Sequence, residues 1–258
     1  MSNAAPLQRW PAEAIWQAVV PLLPGFSVEI LPQIDSTNTE LMRRAREGRQ
    51  DPLLLLAERQ TAGRGRQGRT WLGEAGDALT FSIGLPFKPR SWSGLSLVVG
   101  LSLAASLGPE VALKWPNDLW RQQRKLGGIL IEATSQGGQS YAVIGVGLNI
   151  HKPESNDLRT PADAIDAFWQ GVNAPMALER VIEPLIKALL AFETTGFSGF
   201  QAKFNERDAL KGLNVITSDG LQGLCQGVDA NGALQLLTAE GLTLVNSAEV
   251  SVRPLSTT

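Results

Sequence analysis

The chain has 258 residues, 43% of them apolar and 19% charged, with a formal net charge of −2. That profile is an ordinary soluble globular protein with room for one large domain, or a medium and a small one, and it argues against a dedicated nucleic-acid binder with a strong basic excess. One cysteine (Cys225) and one histidine (His151) exclude an intramolecular disulfide and any Cys- or His-built metal site. A metal, if used, is therefore expected to be an oxygen-preferring ion such as Mg²⁺ arriving with phosphates. His151 stands beside Lys152-Pro153 and reads as structural or exposed rather than as a general base. The start, Met1-Ser2-Asn3-Ala4-Ala5-Pro6, lacks the basic-then-apolar pattern of a secretory signal.

Residues 11–23 carry helical apolar spacing through Ile15, Trp16, Val19, Val20 and Leu23, stopped by Pro24-Gly25. Arg9 is the only basic residue before Arg43, which leaves little to meet DNA phosphates. Residues 28–34 read as a strand, and a helix is expected from about Asn38 to Arg46 with Thr37 and Glu40 as a capping box. Ser36 and Thr37 either cap only, or also face a ligand at the helix N-terminus.

After the apolar run 53–57 comes Gly63-Arg64-Gly65-Arg66-Gln67-Gly68-Arg69. Glycine lets backbone N–H groups approach a ligand, and arginine supplies a rigid fork of donors for carboxylate or phosphate oxygens. Gly63, Gly65 and Gly68 match the spacing of the dinucleotide fingerprint, but Gly73 and Gly76 break the helix that must follow. Residues 79–83 read instead as a second strand, and no acid lies between Ala78 and Ser106. A kinase-type loop fails for want of an H-R-D segment. What remains is an anion clamp between two strands, with a solvated Arg/Gly loop of some nucleic-acid affinity as the plainer alternative.

Residues 91–109 carry no charge, but their serines and glycines favour a buried helix over 94–107 rather than a membrane span. Lys114 ends an apolar run expected to be a central strand, and Pro116-Asn117-Asp118 turns the chain. This is either a tight polar turn with an edge lysine or a strand end that aims Lys114, Asn117 and Asp118 into a site. Arg124-Lys125-Leu126-Gly127-Gly128 then opens an apolar strand whose Lys125 can point at an anion. Residues 141–150 form a further strand, where Gly145 and Gly147 permit close backbone approach and Asn149 lies near the end. Consecutive strands with few helices between them predict an α+β fold, a mixed, largely antiparallel sheet with flanking helices. A short helix over 162–169, a core helix over 177–192 and another short one over 197–204 follow. From about Leu210, short strands at 213–217, 221–228, 233–237, 242–245 and 250–253 predict a small all-β barrel. The chain thus divides into a helical extension (1–26), a main domain (27–209) and the barrel (210–258).

Four blocks in this order resemble biotin protein ligases: Asp35-Ser36-Thr37-Asn38, residues 63–69, Lys114 to Asp118, and Arg124 to Gly128. The strand at 144–149 and the small barrel fit as well, so the resemblance covers the chain from about Val28 onward. It implies a catalytic domain related to class II aminoacyl-tRNA synthetases, followed by an SH3-like barrel. It implies a two-step reaction: the carboxylate of biotin attacks the α-phosphate of ATP to give biotinyl-5′-AMP, and a lysine of a biotin carboxyl carrier domain, as in acetyl-CoA carboxylase, then takes the biotinyl group. No covalent enzyme intermediate is needed, in keeping with a chain that offers no Cys or Ser–His nucleophile.

By the same resemblance Lys125 and Arg64 are the catalytic cations. Ser36, Thr37, Asn38, Gln60, Gly63 and Gly128 join them around biotin. Arg66, Arg69, Trp71, Lys114, Asn117, Asn149 and Arg253 belong near ATP, and Asp118 is the candidate ligand for Mg²⁺. Residues 63–69 are expected to order over the adenylate and keep water from it. Members that repress biotin genes carry an N-terminal winged helix-turn-helix. Only residues 1–27 precede the first expected strand here, so no sequence-specific DNA binding is expected. A cytoplasmic protein, monomer or homodimer, without membrane attachment is implied. The alternatives are a related lipoate or octanoate acyl-protein ligase or transferase and a non-enzymatic Arg/Gly nucleic-acid module.

Overall fold

In the computed structural model, residues 8–71, 73–153, 160–246 and 250–255 are described. The start read above for a signal lies outside them, as do parts of the 1–26 and 210–258 divisions. A short helix, α1 (Ala12–Val19), buries Ile15 and Val19, one turn apart, against the main core. It ends earlier than the apolar spacing suggested. Then come β1 (Ser27–Ile34), α2 (Thr37–Arg46), β2 (Leu53–Gln60) and β3 (Ala78–Pro86). After α3 (Leu95–Leu107) follow β4 (Ala112–Lys114), β5 (Asp118–Arg121), β6 (Arg124–Gln136) and β7 (Gln139–Asn149). They form one seven-stranded sheet in the order β1-β2-β3-β7-β6-β5-β4, in which only β1 and β2 run parallel. The expected mixed, largely antiparallel sheet is present.

Alternation along the strands gives the sheet two different faces. Leu54 and Leu56 of β2 point into the main core, which α1, α3 and a long helix, α4 (Ala174–Thr195), cover. Leu55 points the other way, to a smaller cluster with Leu41, Met42, Ala45, Tyr141 and Val143 beneath α2. The uncharged stretch at 91–109 is thereby accounted for. Nine of the thirteen residues of α3 are buried against the sheet, and among the described residues no helix is long and apolar enough to cross a membrane.

Three local expectations need correction. The N-cap of α2 is Ser36, whose Oγ accepts from Thr39 N at 3.4 Å; Thr37 is already the first helical residue, with its N–H donated to Gln60 Oε1 at 2.7 Å. No α-helix fills 162–169. Lys125 N donates to Pro161 O (2.8 Å) and Asp163 N to Lys125 O (2.9 Å), so this backbone is held strand-like against β6 and only a 3-10 turn at Ile165–Ala167 follows. Lys114 ends an edge strand, not a central one, yet it is buried at 8% exposure because Asp118 and Trp120 cover it.

The chain then passes through a 3-10 turn (Ser198–Phe200) and α5 (Gln201–Arg207) into a second sheet. Its strands are β8 (Asn214–Thr217), β9 (Gln222–Val228), β10 (Leu234–Thr238), β11 (Gly241–Val245) and β12 (Val252–Pro254), in the order β11-β10-β9-β8-β12 and antiparallel throughout. Val215, Cys225, Val228, Leu234 and Leu236 continue the main core into this sheet. At the junction, Asp208 bridges to Leu113 through the backbone, takes Leu210 N–H at 2.9 Å and lies 3.9 Å from the Cys225 thiol. Burial pushes its carboxyl up to about 6 and the thiol up to about 12, so Cys225 stays protonated and unreactive. A carboxyl whose folded pKa is raised holds its proton more tightly folded than unfolded. Its stabilising contribution is complete below the ordinary carboxylate range and is lost as pH rises through about 6. Asp208→Asn keeps the acceptor for Leu210 and removes that loss, so it is expected to stabilise the fold by about 3 kcal/mol at neutral pH and by nothing below the ordinary carboxylate range. Urea unfolding across that range checks it; a stabilisation independent of pH would mean that ionisation of Asp208 is not the cause.

Candidate active site

The same two-residue period that splits the core builds the floor of a cleft. Leu79, Phe81 and Ile83 of β3 enter the main core. Between them Thr80 and Ser82 face α2, where Ser82 Oγ lies 2.7 Å from Thr37 Oγ1 and 2.6 Å from Asn38 Oδ1. In β7, Ala142, Ile144, Val146 and Leu148 likewise enter the core. Gly145 and Gly147 lie on the cleft side, and a Cβ there would overlap the amide of Asn38 and the indole of Trp71 respectively. Here the glycines serve close approach. Gly147→Ala is expected to displace the indole and cost about 1–3 kcal/mol of stability by overpacking; thermal unfolding checks it, and an unchanged Tm would show that the ring moves aside freely.

The cleft encloses about 880 Å³, mouth included. Its lining combines the neutral polar side chains Ser36, Thr37, Asn38 and Gln60 from β1–α2 and β2 with Arg64, Arg66, Arg69 and Trp71 from the loop. Lys114, Asn117, Asp118, Lys125 and Gly128 from the β4–β6 region complete it. The loop is less open than its composition suggested. Gly65 N donates to Arg69 O at 2.7 Å, Arg64 and Thr70 form a bridge, and Gln67 and Gly68 turn the chain with φ of 55° and 69°. Val250 and Ser251 of the C-terminal segment also reach the cleft.

Three expected residues stand apart. Gly63 does not line the cleft; its carbonyl accepts from Trp71 N at 2.9 Å and so seats the ring. Asn149 is buried behind β6, where its amide donates to Lys125 O (3.2 Å) and Asp163 O (2.9 Å). Arg253 opens onto a second groove between β5–β6 and the C-terminal sheet, which meets the first only at Lys114.

The electrostatic centre is Asp118. Its Oδ1 accepts from Lys125 Nζ at 2.6 Å, and its Oδ2 lies 3.7 Å from Lys114 Nζ, which also sits 5.2 Å over the ring of Trp120. Burial draws the Lys114 ammonium below its ordinary range; Asp118 opposes that, and Lys125 and Arg69 reinforce it. Arg66 is likewise drawn down, first by burial, with Asp118 opposing and Arg69 adding. Asp118 thus meets two ammonium groups and acts on Arg66, while Arg69 bears on Lys114 and Arg66; four cations to one carboxylate is an excess of positive charge suited to phosphate and carboxylate groups. Asp118 does not fit the expectation of a metal ligand: both oxygens face ammonium groups, and among the described residues no cluster of three His, Cys, Asp or Glu side chains could hold an ion.

Sequence reasoning missed Glu132 and Ser82. Glu132 pairs with Arg64 at 3.2 Å and accepts from Asn38 Nδ2 at 3.0 Å. The available signals were a carboxylate inside an apolar strand and polar residues at alternate positions of β3.

The sequence matches the Biotin/lipoate A/B protein ligase family over residues 30–149 and the biotin protein ligase C terminal domain over residues 214–253. It is 38% identical over 240 residues to the biotin–[acetyl-CoA-carboxylase] ligase of Mycobacterium tuberculosis, covering 86% of each chain. To the bifunctional ligase/repressor BirA of Escherichia coli it is 35% identical over 232 residues, 85% of this chain and 72% of that one. The fold superposes on the Aquifex aeolicus biotin protein ligase in complex with biotin and ATP with a TM-score of 0.75 at 29% identity, covering 88% of this chain and 99% of the other. On the strength of that agreement along both sheets, the chain belongs to the biotin protein ligase family.

Proposed function

We propose that the chain joins biotin to ATP as biotinyl-5′-AMP and passes the biotinyl group to a lysine of a biotin carboxyl carrier domain, such as that of acetyl-CoA carboxylase. The observation that carries this reading is the cluster of Lys114, Lys125, Arg66 and Arg69 around Asp118, set beside a pocket of neutral polar groups. In the first step a carboxylate oxygen bonds to the α-phosphorus as the bond to pyrophosphate breaks. Both partners are anions, so fixed cations must hold them together and stabilise the charge that develops. Lys125 and Arg64 take that role, with Arg66, Arg69 and Lys114 on the phosphates. In the second step the lysine amine attacks the acyl carbon and AMP leaves.

Ser36, Thr37 and Gln60 hold the polar ring of biotin, and Gly128 lets its tail lie on the backbone. Asn38 and Gly63 support these groups from behind. Trp71 offers its ring to adenine, and Asn117 holds the turn beside it through Nδ2 to Ile129 O at 2.9 Å. Asn149 fixes the backbone of Lys125, and Arg253 approaches the nucleotide side through the second groove. Mg²⁺ belongs on the nucleotide phosphates rather than in a protein-built site. The same reading makes residues 63–69 a cover for the adenylate, the second sheet an SH3-like barrel, the main domain a relative of class II aminoacyl-tRNA synthetases, and the protein a cytoplasmic monomer or homodimer.

Incubation with biotin, ATP-Mg²⁺ and a carrier domain, followed by mass measurement of the carrier, tests the reading. One biotinyl group is expected on the carrier, dependent on both small molecules. Transfer of lipoate or octanoate in place of biotin would instead assign the chain to the other branch of the matched family.

A further inference from the structure

Under the cleft a chain of hydrogen bonds runs from Gln60 through Thr37, Ser82 and Asn38 to Glu132, and its proton order can be deduced. Asn38 Nδ2 lies 3.0 Å from Glu132 Oε2 and 3.3 Å from the Leu130 carbonyl. Both are acceptors only. The amide nitrogen therefore faces them, and Oδ1 faces Ser82. Ser82 Oγ is 2.6 Å from that Oδ1 and 2.7 Å from Thr37 Oγ1. A hydroxyl has a single proton and Oδ1 can only accept, so Ser82 donates to Asn38. Two hydroxyl oxygens at 2.7 Å need a proton between them, so Thr37 donates to Ser82.

Thr37 Oγ1 is then left with lone pairs alone. Gln60 Oε1, 3.1 Å away, already accepts from Thr37 N at 2.7 Å and has no proton to give. These two oxygens make a corner of acceptors at the wall of the cleft. Ser36, which accepts only a long bond from Thr39 N, keeps its proton to donate. Acceptors paired with a donor form the complement of an N–H beside a carbonyl.

Resting on the biotin reading above, we infer that Ser82, Asn38 and Glu132 are positioning residues that fix the Thr37 hydroxyl as an acceptor and so select a ligand with an N–H donor at that corner. Ser82 is 0% exposed and acts through Thr37, not by contact. A ligand whose ring lacks N–H, such as a sulfur heterocycle, leaves two acceptors buried and unpaired, and is rejected for that reason.

The test is a double-mutant cycle on the full chain with Ser82→Ala, Thr37→Val and both together, measuring Kd for biotin by calorimetry and KM for biotin and ATP. Ser82→Ala is expected to weaken biotin roughly tenfold, to leave the KM for ATP within about twofold, and to have no further effect once Thr37 is valine. If the alanine variant does not fold, Ser82→Cys, with a weak donor of similar size, should shift biotin affinity in the same direction. Independent losses that multiply in the double variant, or equal losses for biotin and ATP, would overturn the proton order while leaving the enzyme a biotin ligase. A wild-type chain that does not bind biotin would overturn the function reading itself, and this inference with it.

Discussion

Replacing Lys125 with alanine is expected to lower biotin-dependent ATP–pyrophosphate exchange by about 10²–10³-fold while the protein stays folded. The side chain is 30% exposed at the cleft, and its Nζ is the closest cation to Asp118 at 2.6 Å. Its backbone, not its ammonium, carries the local structure, through bonds to Pro161, Asp163 and Asn149. Alanine keeps those bonds, and Asp118 keeps Lys114. What disappears is a fixed positive charge where two anions must meet, which acts in the transition state more than in the ground state. The loss should therefore fall on kcat with a smaller change in KM. Lys125→Arg is not expected to restore the rate, since a planar fork does not reproduce a point charge at that spot. A normal exchange rate in the alanine variant would remove Lys125 from the chemistry.

Groups that sit together in the chain were readable as a site without coordinates. The glycine–arginine run and the Lys114–Asp118 and Arg124–Gly128 blocks are local, and each brings at least two of its residues to the cleft wall. Ser82 and Glu132 were not readable, because what they do is defined by partners on other elements. Ser82 meets residues 45 and 44 positions away, and Glu132 meets one 94 positions away. Strand alternation alone would have put Thr80 and Ser82 on the polar face of β3; that this face lies under α2 depends on sheet order, which local pattern does not encode. The helix expected at 162–169 failed for a similar reason. Its composition allows a helix, but pairing with Lys125 claims its backbone first. Lys114 looked like a charge in a central strand because its neighbours are apolar; edge position and a covering Trp120 resolve the conflict.

Asp118→Asn should cost more stability than any other single change at the cleft, about 2–4 kcal/mol, because it strips the counter-charge from a buried ammonium. The side chain of Lys114 is 9% exposed and that of Asp118 13%, so little water replaces the lost partner. The second pair contributes less, since Lys125 is 30% exposed and can turn outward. The pH dependence identifies the cause. Burial already holds the folded-state pKa of Lys114 below its unfolded value, and Asp118 is what opposes that fall. Without the carboxylate the folded pKa drops further, so over a wider range the unfolded chain binds the proton that the folded chain has shed. Stability then rises with pH through that range, more steeply in the variant than in the wild type. The two should therefore converge in urea unfolding as pH rises toward the ordinary lysine range. A constant gap would place the loss in hydrogen bonding rather than in the charge of Lys114. Activity should fall as well, because the negative charge that draws Lys125 to its 2.6 Å contact is gone. If that loss were repaired simply by raising Mg²⁺, Asp118 would be acting as a metal ligand and not as the anchor of two lysines.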